Sequence, residues 1–235
     1  MVAGKGKRLG YKVPKCLVNI TNNKKLIDFS IQQMISLGVT RIFIVVNYKR
    51  ELIKKYIYEK YYDKNIKFLF LTQKRINGIA KALYLLNKLI DKPFWLFLGD
   101  SAFNLTNKDF YKFLNLYIKY KSTAIQAVTK EESLDTIKNT NNIVIKNKLI
   151  KSITEKPEIK KSNYVGAGIY FFDKNIFNYL KITPKNIKTG NYELTDTINS
   201  LALKNKAYAI KLSRPIYNIN TKEDLRKAKL NLKDV

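Results

Sequence analysis

Short apolar runs alternate with stretches of helical periodicity in the first half of the chain, and this alternation constrains the fold more than any other feature. Near-continuous apolar runs are typical of strands that are buried on both faces of a parallel sheet. Such strands, separated by helices, predict the α/β class. The runs are "TRIFIVVN" (40–47), "IKFLFLT" (66–72), "FWLFLGD" (94–100) and "TAIQAVT" (123–129).

Helices are predicted between these strands. The stretch 24–37 has apolar residues at helical spacing, with Asn22 or Asn23 as the expected N-cap and Gly38 as the expected end. The same periodicity recurs over residues 52–62, 79–90 and 109–120.

The second half of the chain is less regular. "NNIVIKNKLIKSITEKP" (141–157) predicts two short antiparallel strands around a turn at 146–148. No linker or internal repeat interrupts the chain, so we predict one domain with a small antiparallel insertion. Further strands are expected over 166–173 and 208–212, and further helices over 193–204 and 222–232.

Composition excludes several classes of protein. Hydrophobic residues make up 46% of the chain, which suits a packed core. No apolar run approaches the roughly 20 residues that cross a membrane, and no secretory signal is visible. The single cysteine, Cys16, cannot form an internal disulfide, so we predict a cytoplasmic protein without a membrane partner. The chain has no histidine, which excludes His-based catalytic triads and HExxH zinc sites.

The net charge of +27 has two interpretations. A nucleic-acid-binding module would use such a field to neutralise phosphates. Alternatively, the lysines reflect a biased composition and are solvated on the surface. We favour the second interpretation and expect no nucleic-acid partner, because the lysines form no long basic block or tail. The field should still attract small anions.

"AGKGKRLGYKVPK" (3–15) places bare backbone among cations at the start of the chain. It lacks the third glycine of a dinucleotide-binding loop and the Ser or Thr of a P-loop. Glycines let consecutive N–H groups turn toward an anion, Arg8 can contact two oxygens, and Lys15 can contact a third. The loop predicts phosphate binding, and an ordinary glycine-rich turn is the alternative.

Several later stretches turn this loop into a recognisable series. They are "LTQKRINGIAKAL" (71–83), "FLGD" (97–100), "ITEKPEIKKSNYVGAGIYFFD" (153–173), "YELTDTI" (192–198) and "YNINTKEDL" (217–225). In this order, and together with the opening loop, they resemble the segments of the nucleotidyltransferases that join an NTP to a sugar 1-phosphate. The resemblance covers essentially the whole chain.

The resemblance implies a fold and its division. It implies a single three-layer α/β/α domain over residues 1–235, with a mixed, mostly parallel sheet of the nucleotide-diphospho-sugar transferase type. Residues from about 1 to 130 would form the nucleotide-binding half, and residues from about 131 to 235 the sugar-phosphate-binding half. Only three residues precede Gly4, where this fold normally has a longer strand. We therefore expect the first strand to be truncated and the natural start to lie upstream.

The resemblance also implies the chemistry. An oxygen of the sugar 1-phosphate attacks the α-phosphorus of the NTP in line, and pyrophosphate leaves. The nucleophile is already an anion, so positioning, cations and Mg²⁺ would perform the catalysis without a protein base. UTP or dTTP is the expected donor, and a homo-oligomer is left open.

Individual roles follow residue by residue from the resemblance. Catalysis is assigned to Arg8 and Lys15, and nucleotide binding to Ala3, Gly4, Gly6, Gln73 and Gly78. Sugar-phosphate binding is assigned to Glu155, Lys156, Asn163 and Glu193. The expected Mg²⁺ ligands are Asp100 and Asn218, of which Asn218 replaces the aspartate of many members.

Some positions depart from the family pattern and keep alternatives open. Lys7, Lys81 and Asn142 stand where a threonine, a histidine and a pocket glycine are usual. The alternatives are a catalytically impaired binding or regulatory protein of the same fold, a cytidylyltransferase, or, third, a basic nucleic-acid-binding module.

Overall fold

The computed structural model describes residues 1–2 and 13–232 of the chain. Its helices are α1 (Leu26–Ser36), α2 (Arg50–Tyr61), α3 (Ile79–Tyr84), α4 (Asn107–Tyr120), α5 (Leu134–Asn139), α6 (Ile176–Ile182), α7 (Leu194–Leu203) and α8 (Lys222–Asn231). Its strands are β1 (Arg41–Val46), β2 (Lys67–Thr72), β3 (Phe94–Phe97), β4 (Ser101–Phe103), β5 (Ala124–Lys130), β6 (Asn141–Lys146), β7 (Leu149–Glu155), β8 (Tyr164–Phe172), β9 (Ala207–Lys211) and β10 (Ile216–Asn218). The predicted α/β class is confirmed.

The chain divides into two compact units, each built from separated segments. The first unit comprises Met1–Ile76, Leu98–Asn104 and Arg214–Val235, and the second comprises Asn77–Phe97 and Leu105–Ser213. In the part of the chain that the structure describes, no helix is long and apolar enough to span a membrane.

The first unit contains a parallel pair of strands between helices. β1 and β2 pair in register from Arg41 with Lys67 to Val46 with Thr72. The buried Ile42 and Ile44 of β1 belong to one core cluster with residues of α1 and α2, because alternate strand positions face the helices. The short strands β4 and β10 form an antiparallel pair in the same unit.

Met1 and Val2 connect two parts of the first unit. The Val2 N–H donates to the Val45 carbonyl at 3.0 Å, and the Gly99 N–H donates to the Met1 carbonyl at 2.9 Å. A Cβ atom at position 99 would lie 2.2 Å from a methyl carbon of Val2, a distance that real Cβ atoms do not show. This close approach requires glycine immediately before Asp100.

A six-stranded sheet in the order β3-β8-β5-β9-β7-β6 forms the centre of the second unit. The sheet is mixed: β5 runs parallel to β9 and antiparallel to β8. Among the strands that the structure describes, only β1–β2 and β5–β9 pair in parallel. Apolar runs such as that of β5 indicate burial on both faces, but burial does not determine strand direction.

The predicted hairpin over 141–157 is confirmed as β6 and β7. Asn147 and Lys148 connect the strands with φ values of 52° and 68°. Two consecutive left-handed residues are typical of a type I′ turn, whose twist matches that of a hairpin.

The start of α1 and the end of α3 differ from the prediction. α1 begins at Leu26, with Lys25 rather than Asn22 or Asn23 at the N-cap. Asp28 replaces the expected cap, because its carboxylate accepts the Lys25 N–H at 2.7 Å. α3 ends at Tyr84 instead of residue 90. Tighter backbone turns, such as Leu86 N–H to Leu83 C=O at 3.0 Å, follow it.

Asp28 joins α1 to α2 inside the first unit. Its side chain is fully buried and accepts hydrogen bonds from Tyr56 (2.6 Å), Tyr61 (2.8 Å) and the Lys60 ammonium (2.7 Å). Burial, together with the Asp28 charge, raises the pKa of both tyrosines, which therefore remain donors. A buried carboxylate with this number of donors is compensated, and the two tyrosine hydroxyls lose their acceptor if it is removed.

We expect Asp28→Ala to lower the free energy of unfolding by about 3 kcal/mol, because it leaves the hydroxyls of two tyrosines and one ammonium without their acceptor. Urea unfolding followed by circular dichroism measures the change. Asp63→Ala is the matched control, since Asp63 is half exposed and forms an ion pair with its chain neighbour Lys64; its expected effect is below about 1 kcal/mol. Equal losses in the two variants would contradict the role of Asp28.

Candidate active site

The assigned residues of the opening loop cannot be placed. Ala3, Gly4, Gly6 and Arg8 lie outside the residues that the structure describes. Their assigned roles in binding the NTP phosphates and in catalysis stay predictions. The remaining assigned residues fall in both units.

Lys15 lies at the start of a single 3-10 turn, Lys15–Leu17, directly after Pro14. The Leu17 N–H donates to the Pro14 carbonyl at 2.8 Å and closes this turn. The Lys15 ammonium contacts the Asp100 carboxylate at 3.3 Å and the Asn220 side-chain oxygen at 3.0 Å. Only 13% of the Lys15 side chain is exposed, whereas Asp100 is 39% exposed. The structure therefore brings together two of the predicted residues, Lys15 and Asp100.

Asn218 lies on the strand beside Asp100. It is the last residue of β10 and pairs with Ser101 of β4, and the Ile219 N–H donates to the Asp100 carbonyl at 2.9 Å. The Asn218 side chain is exposed. The backbone pairing thus places both predicted metal ligands on adjacent strand ends.

Asn220 was not among the predicted site residues. The Asp224 carboxylate accepts the N–H groups of Asn220 (2.9 Å) and Thr221 (2.8 Å), which fixes the entry into α8. Thr221 accepts the Asp224 N–H in return, so the predicted capping box is confirmed. In the sequence, Asn220 stands out only as the second asparagine of "NIN" (218–220).

The donor set around Asp100 fits Mg²⁺. This cation prefers oxygen ligands and takes few of them from protein, with phosphates and water completing its shell. Asp100 offers a partly exposed carboxylate, and Asn218 offers an amide oxygen on the adjacent strand. An ammonium group already contacts Asp100. The Asp100 carboxylate therefore already interacts with one positive group, the Lys15 ammonium.

Gln73 lies directly after β2 and is buried. Its N–H donates to the Val46 carbonyl at 2.9 Å, and the Asn47 side chain donates to its carbonyl at 2.6 Å. These bonds anchor the Gln73 backbone to the end of β1. Its contact with a nucleotide base stays a prediction.

Gly78, in the second unit, has a structural reason to be glycine. Its φ is +111°, and a Cβ atom there would lie 2.1 Å from the Tyr192 carbonyl oxygen. The Tyr192 backbone also accepts from Ala80 (3.1 Å) and donates to Asn77 (2.9 Å). The Lys81 ammonium lies over the Tyr192 ring at 4.5 Å. The loop assigned to the nucleotide is therefore fixed to the residue before Glu193.

Glu155, the last residue of β7, is held by α7. The Thr195 hydroxyl donates to its Oε2 atom at 3.0 Å. Burial and the negative charge of Glu193 raise the pKa of the Glu155 carboxyl to about 7, against the opposing effect of Thr195 and Lys156. The Glu193 charge therefore acts on Glu155, and the assignment of both residues to one sugar pocket stays a prediction.

Lys156 adopts a left-handed conformation with φ +43°. Its N–H donates to the Thr140 carbonyl at 2.7 Å, so the turn after β7 is held by the residue that precedes β6. A lysine in this region is strained relative to glycine. The Lys156 side chain is exposed. A cavity of about 350 Å³ adjoins this turn and is lined by Asn142, Val144, Ser152, Thr154, Glu155, Lys156, Pro157, Glu158, Ile159, Lys161 and Lys188.

Asn142 holds the loop that carries Asn163. Its buried side chain accepts the Lys161 N–H (2.7 Å) and donates to the Ser162 carbonyl (2.8 Å). Asn142 therefore tethers this loop by its side chain, a function that a glycine cannot provide. Asn163 itself is exposed, and its carbonyl accepts the Glu131 N–H at 2.9 Å. Its contact with a sugar stays a prediction.

Two curated relatives resemble the chain in sequence. It is 33% identical over 218 residues to the bifunctional protein GlmU of Methanocaldococcus jannaschii, covering 91% of this chain and 48% of that protein. It is 28% identical over 242 residues to the UTP–glucose-1-phosphate uridylyltransferase AglF of Haloferax volcanii, covering 100% of this chain and 95% of that protein. The chain thus spans about half the length of the first relative.

A solved structure shows the same fold. The crystal structure of a UDP-glucose pyrophosphorylase complexed with UDP-glucose has a TM-score of 0.84, covering 98% of this chain and 96% of that chain at 22% identity. The profile of the family described as nucleotidyl transferase matches residues 1–232. The chain therefore belongs to the nucleotidyl transferase family.

Proposed function

We propose that this chain is a Mg²⁺-dependent nucleotidyltransferase that joins an NTP to a sugar 1-phosphate and releases pyrophosphate. The observation that carries the proposal is the Lys15 ammonium, which lies within 3.3 Å of the Asp100 carboxylate. Two polyanionic substrates need positive groups that neutralise their charge. A fixed ammonium beside a carboxylate that can bind a metal would provide them.

Lys15 would stabilise negative charge on the transferring α-phosphate. Its stem is mostly buried and its turn is closed by Pro14, so the ammonium is directed by the fold rather than by free rotation. Asp100 and Asn220 accept from this cation in the structure. Phosphate oxygens would replace these acceptors when the NTP binds.

Asp100 would hold Mg²⁺, with the amide oxygen of Asn218 as the second protein ligand on the adjacent strand. The cation, when bound, neutralises charge that develops on the phosphates. Asn218 supplies no negative charge, so Asp100 would provide the charge of this pair. This difference makes Asp100 the decisive residue for a test.

The sugar 1-phosphate would bind at the end of β7. Glu155 and Glu193 would accept hydrogen bonds from sugar hydroxyls, and the Lys156 ammonium would contact the phosphate. The support is the electrostatic proximity of these three side chains. Asn163 is proposed as a further sugar ligand on the basis of its position in the family motif alone.

UTP or dTTP is the proposed donor. Gln73 and Gly78 match positions that contact a pyrimidine base in the family. The name of the Haloferax relative specifies UTP, and the solved neighbour contains UDP-glucose. We propose a cytoplasmic location, consistent with the single cysteine of the chain.

We expect Asp100→Ala to reduce the rate of pyrophosphate release by at least about 100-fold, because it removes the charged metal ligand and the acceptor of Lys15. A coupled pyrophosphate assay with each NTP and a panel of sugar 1-phosphates measures this. Asp91→Ala is the matched control, because Asp91 is an exposed aspartate in a loop. A wild-type protein inactive with every pair, or an unimpaired Asp100→Ala variant, would refute the proposal.

Glu155→Gln should change how stability depends on pH. The pKa of Glu155 is about 7 in the folded protein and about 4.3 in an unfolded chain. The folded state therefore holds an extra proton between these values, and wild-type stability falls as the pH rises from about 4.5 to about 7. We expect the variant to match the wild type at pH 4 and to exceed it increasingly up to pH 7.

Thermal unfolding across this pH range measures the difference. Glu132→Gln serves as the control, because it makes the same change of side chain at an exposed position. Parallel pH profiles for the wild type and Glu155→Gln would show that Glu155 is ionised normally in the folded protein.

A further inference from the structure

We propose that Thr195 is a positioning residue of the sugar subsite, where its hydroxyl holds the Glu155 carboxyl so that one oxygen faces a sugar hydroxyl. This inference rests on the proposed function, because it concerns the residue through which the sugar would be bound. It adds a role for a residue that the family-based assignments leave without one.

The two carboxyl oxygens of Glu155 have different surroundings. Thr195 Oγ1 donates to Oε2 of Glu155 at 3.0 Å. Among the residues that the structure describes, Oε1 has no hydrogen-bond partner. One oxygen is therefore anchored, and the other is available to accept from a ligand.

Thr195 is itself rigidly placed. It lies in the first turn of α7 and is 6% exposed. A β-branched side chain in a helix has few χ1 rotamers, so the hydroxyl has a defined direction.

The charged groups around Glu155 make this hydrogen bond consequential. Glu193 and Asp196 disfavour its ionised form, as burial does, whereas Lys156 favours it. The Thr195 hydroxyl also favours the ionised form, because it donates to the carboxylate. An ionised carboxylate accepts at both oxygens, so Oε2 can accept from Thr195 while Oε1 accepts from a ligand hydroxyl. Thr195 therefore supports orientation and protonation state together.

The second carboxylate of the subsite shows the same arrangement. The Thr189 hydroxyl donates to Oε1 of Glu193 at 2.7 Å. Each of the two glutamates thus accepts a hydrogen bond from a different threonine. Thr197, one residue beyond Asp196, instead shares a hydrogen bond with Thr183 at 2.7 Å.

Thr197 provides a matched control for Thr195. Both threonines are buried in α7, and both lose one hydrogen bond when they are changed to valine. Of these two threonines, only Thr195 contacts a glutamate assigned to the sugar. The comparison of Thr195→Val with Thr197→Val therefore separates a positioning role from a general loss of helix packing.

The first experiment measures steady-state kinetics with UTP and glucose 1-phosphate. We expect Thr195→Val to raise the KM for glucose 1-phosphate about tenfold, as for the loss of one hydrogen bond to a charged group, while the KM for UTP stays within about twofold. Thr195→Ser should restore the wild-type value, because it retains the hydroxyl. Thr197→Val should lower thermal stability without changing either KM.

The second experiment does not depend on turnover. The Glu155 carboxyl carbon is followed by NMR in the unliganded, ¹³C-glutamate-labelled protein, with its signal assigned from its absence in Glu155→Gln. We expect Thr195→Val to move the titration midpoint to higher pH, and Thr195→Ser and Thr197→Val to leave it unchanged.

The outcomes separate the two proposals. An unchanged KM and midpoint in Thr195→Val, or equal changes in Thr197→Val, would overturn the role of Thr195. A shifted midpoint in a protein that turns over no sugar 1-phosphate would support the Thr195–Glu155 coupling and refute the proposed function.

Discussion

The ammonium group of Lys15 contacts side chains that lie 85 and 205 residues further along the chain, those of Asp100 and Asn220. This contact draws the turn after the opening loop, the start of β4 and the entry into α8 to one point of the first unit. Each of these segments is separately anchored by backbone hydrogen bonds, so the cation is held by a preformed frame. The chemistry proposed for this protein depends on that placement, since no histidine is present to move protons.

Neighbouring features of the first unit support the same point. Gly99 permits Met1 and Val2 to approach the backbone beside Asp100, and Asp224 fixes the residue that contacts Lys15. Asp28 connects the two helices that pack against β1. Hydrogen bonds from the backbone of Gly99 and of Asn220 thus hold the chain beside both side chains that contact Lys15.

The candidate residues of the second unit include two carboxyl groups, those of Glu155 and Glu193, in a partly buried environment. Glu155 is anchored by Thr195, and Glu193 by Thr189. Because Tyr192 is fixed to the loop of Gly78, the segment that carries Glu193 and the loop assigned to the nucleotide share one set of backbone contacts. A single substitution at Gly78 would therefore disturb both.

Local patterns were sufficient to predict much of the fold. Apolar spacing located β1, β2 and α1 within one or two residues, and the Asn147–Lys148 turn followed from the polar break between two β-rich runs. The α1 cap could not be predicted, because Asp28 caps the helix from within while it also binds residues of α2. Family motifs predict roles for Glu155 and Glu193, but not the hydrogen bond between Glu155 and Thr195, since these two residues are 40 positions apart. Asn220 escaped detection for the same reason.

The most direct test of this account is a crystal structure of the protein with Mg²⁺ and a non-hydrolysable UTP analogue. The account predicts that the Lys15 ammonium leaves Asp100 and lies about 3 Å from an α-phosphate oxygen, while Asp100 binds the metal. A nucleotide bound elsewhere, with the Lys15–Asp100 contact intact, would contradict it.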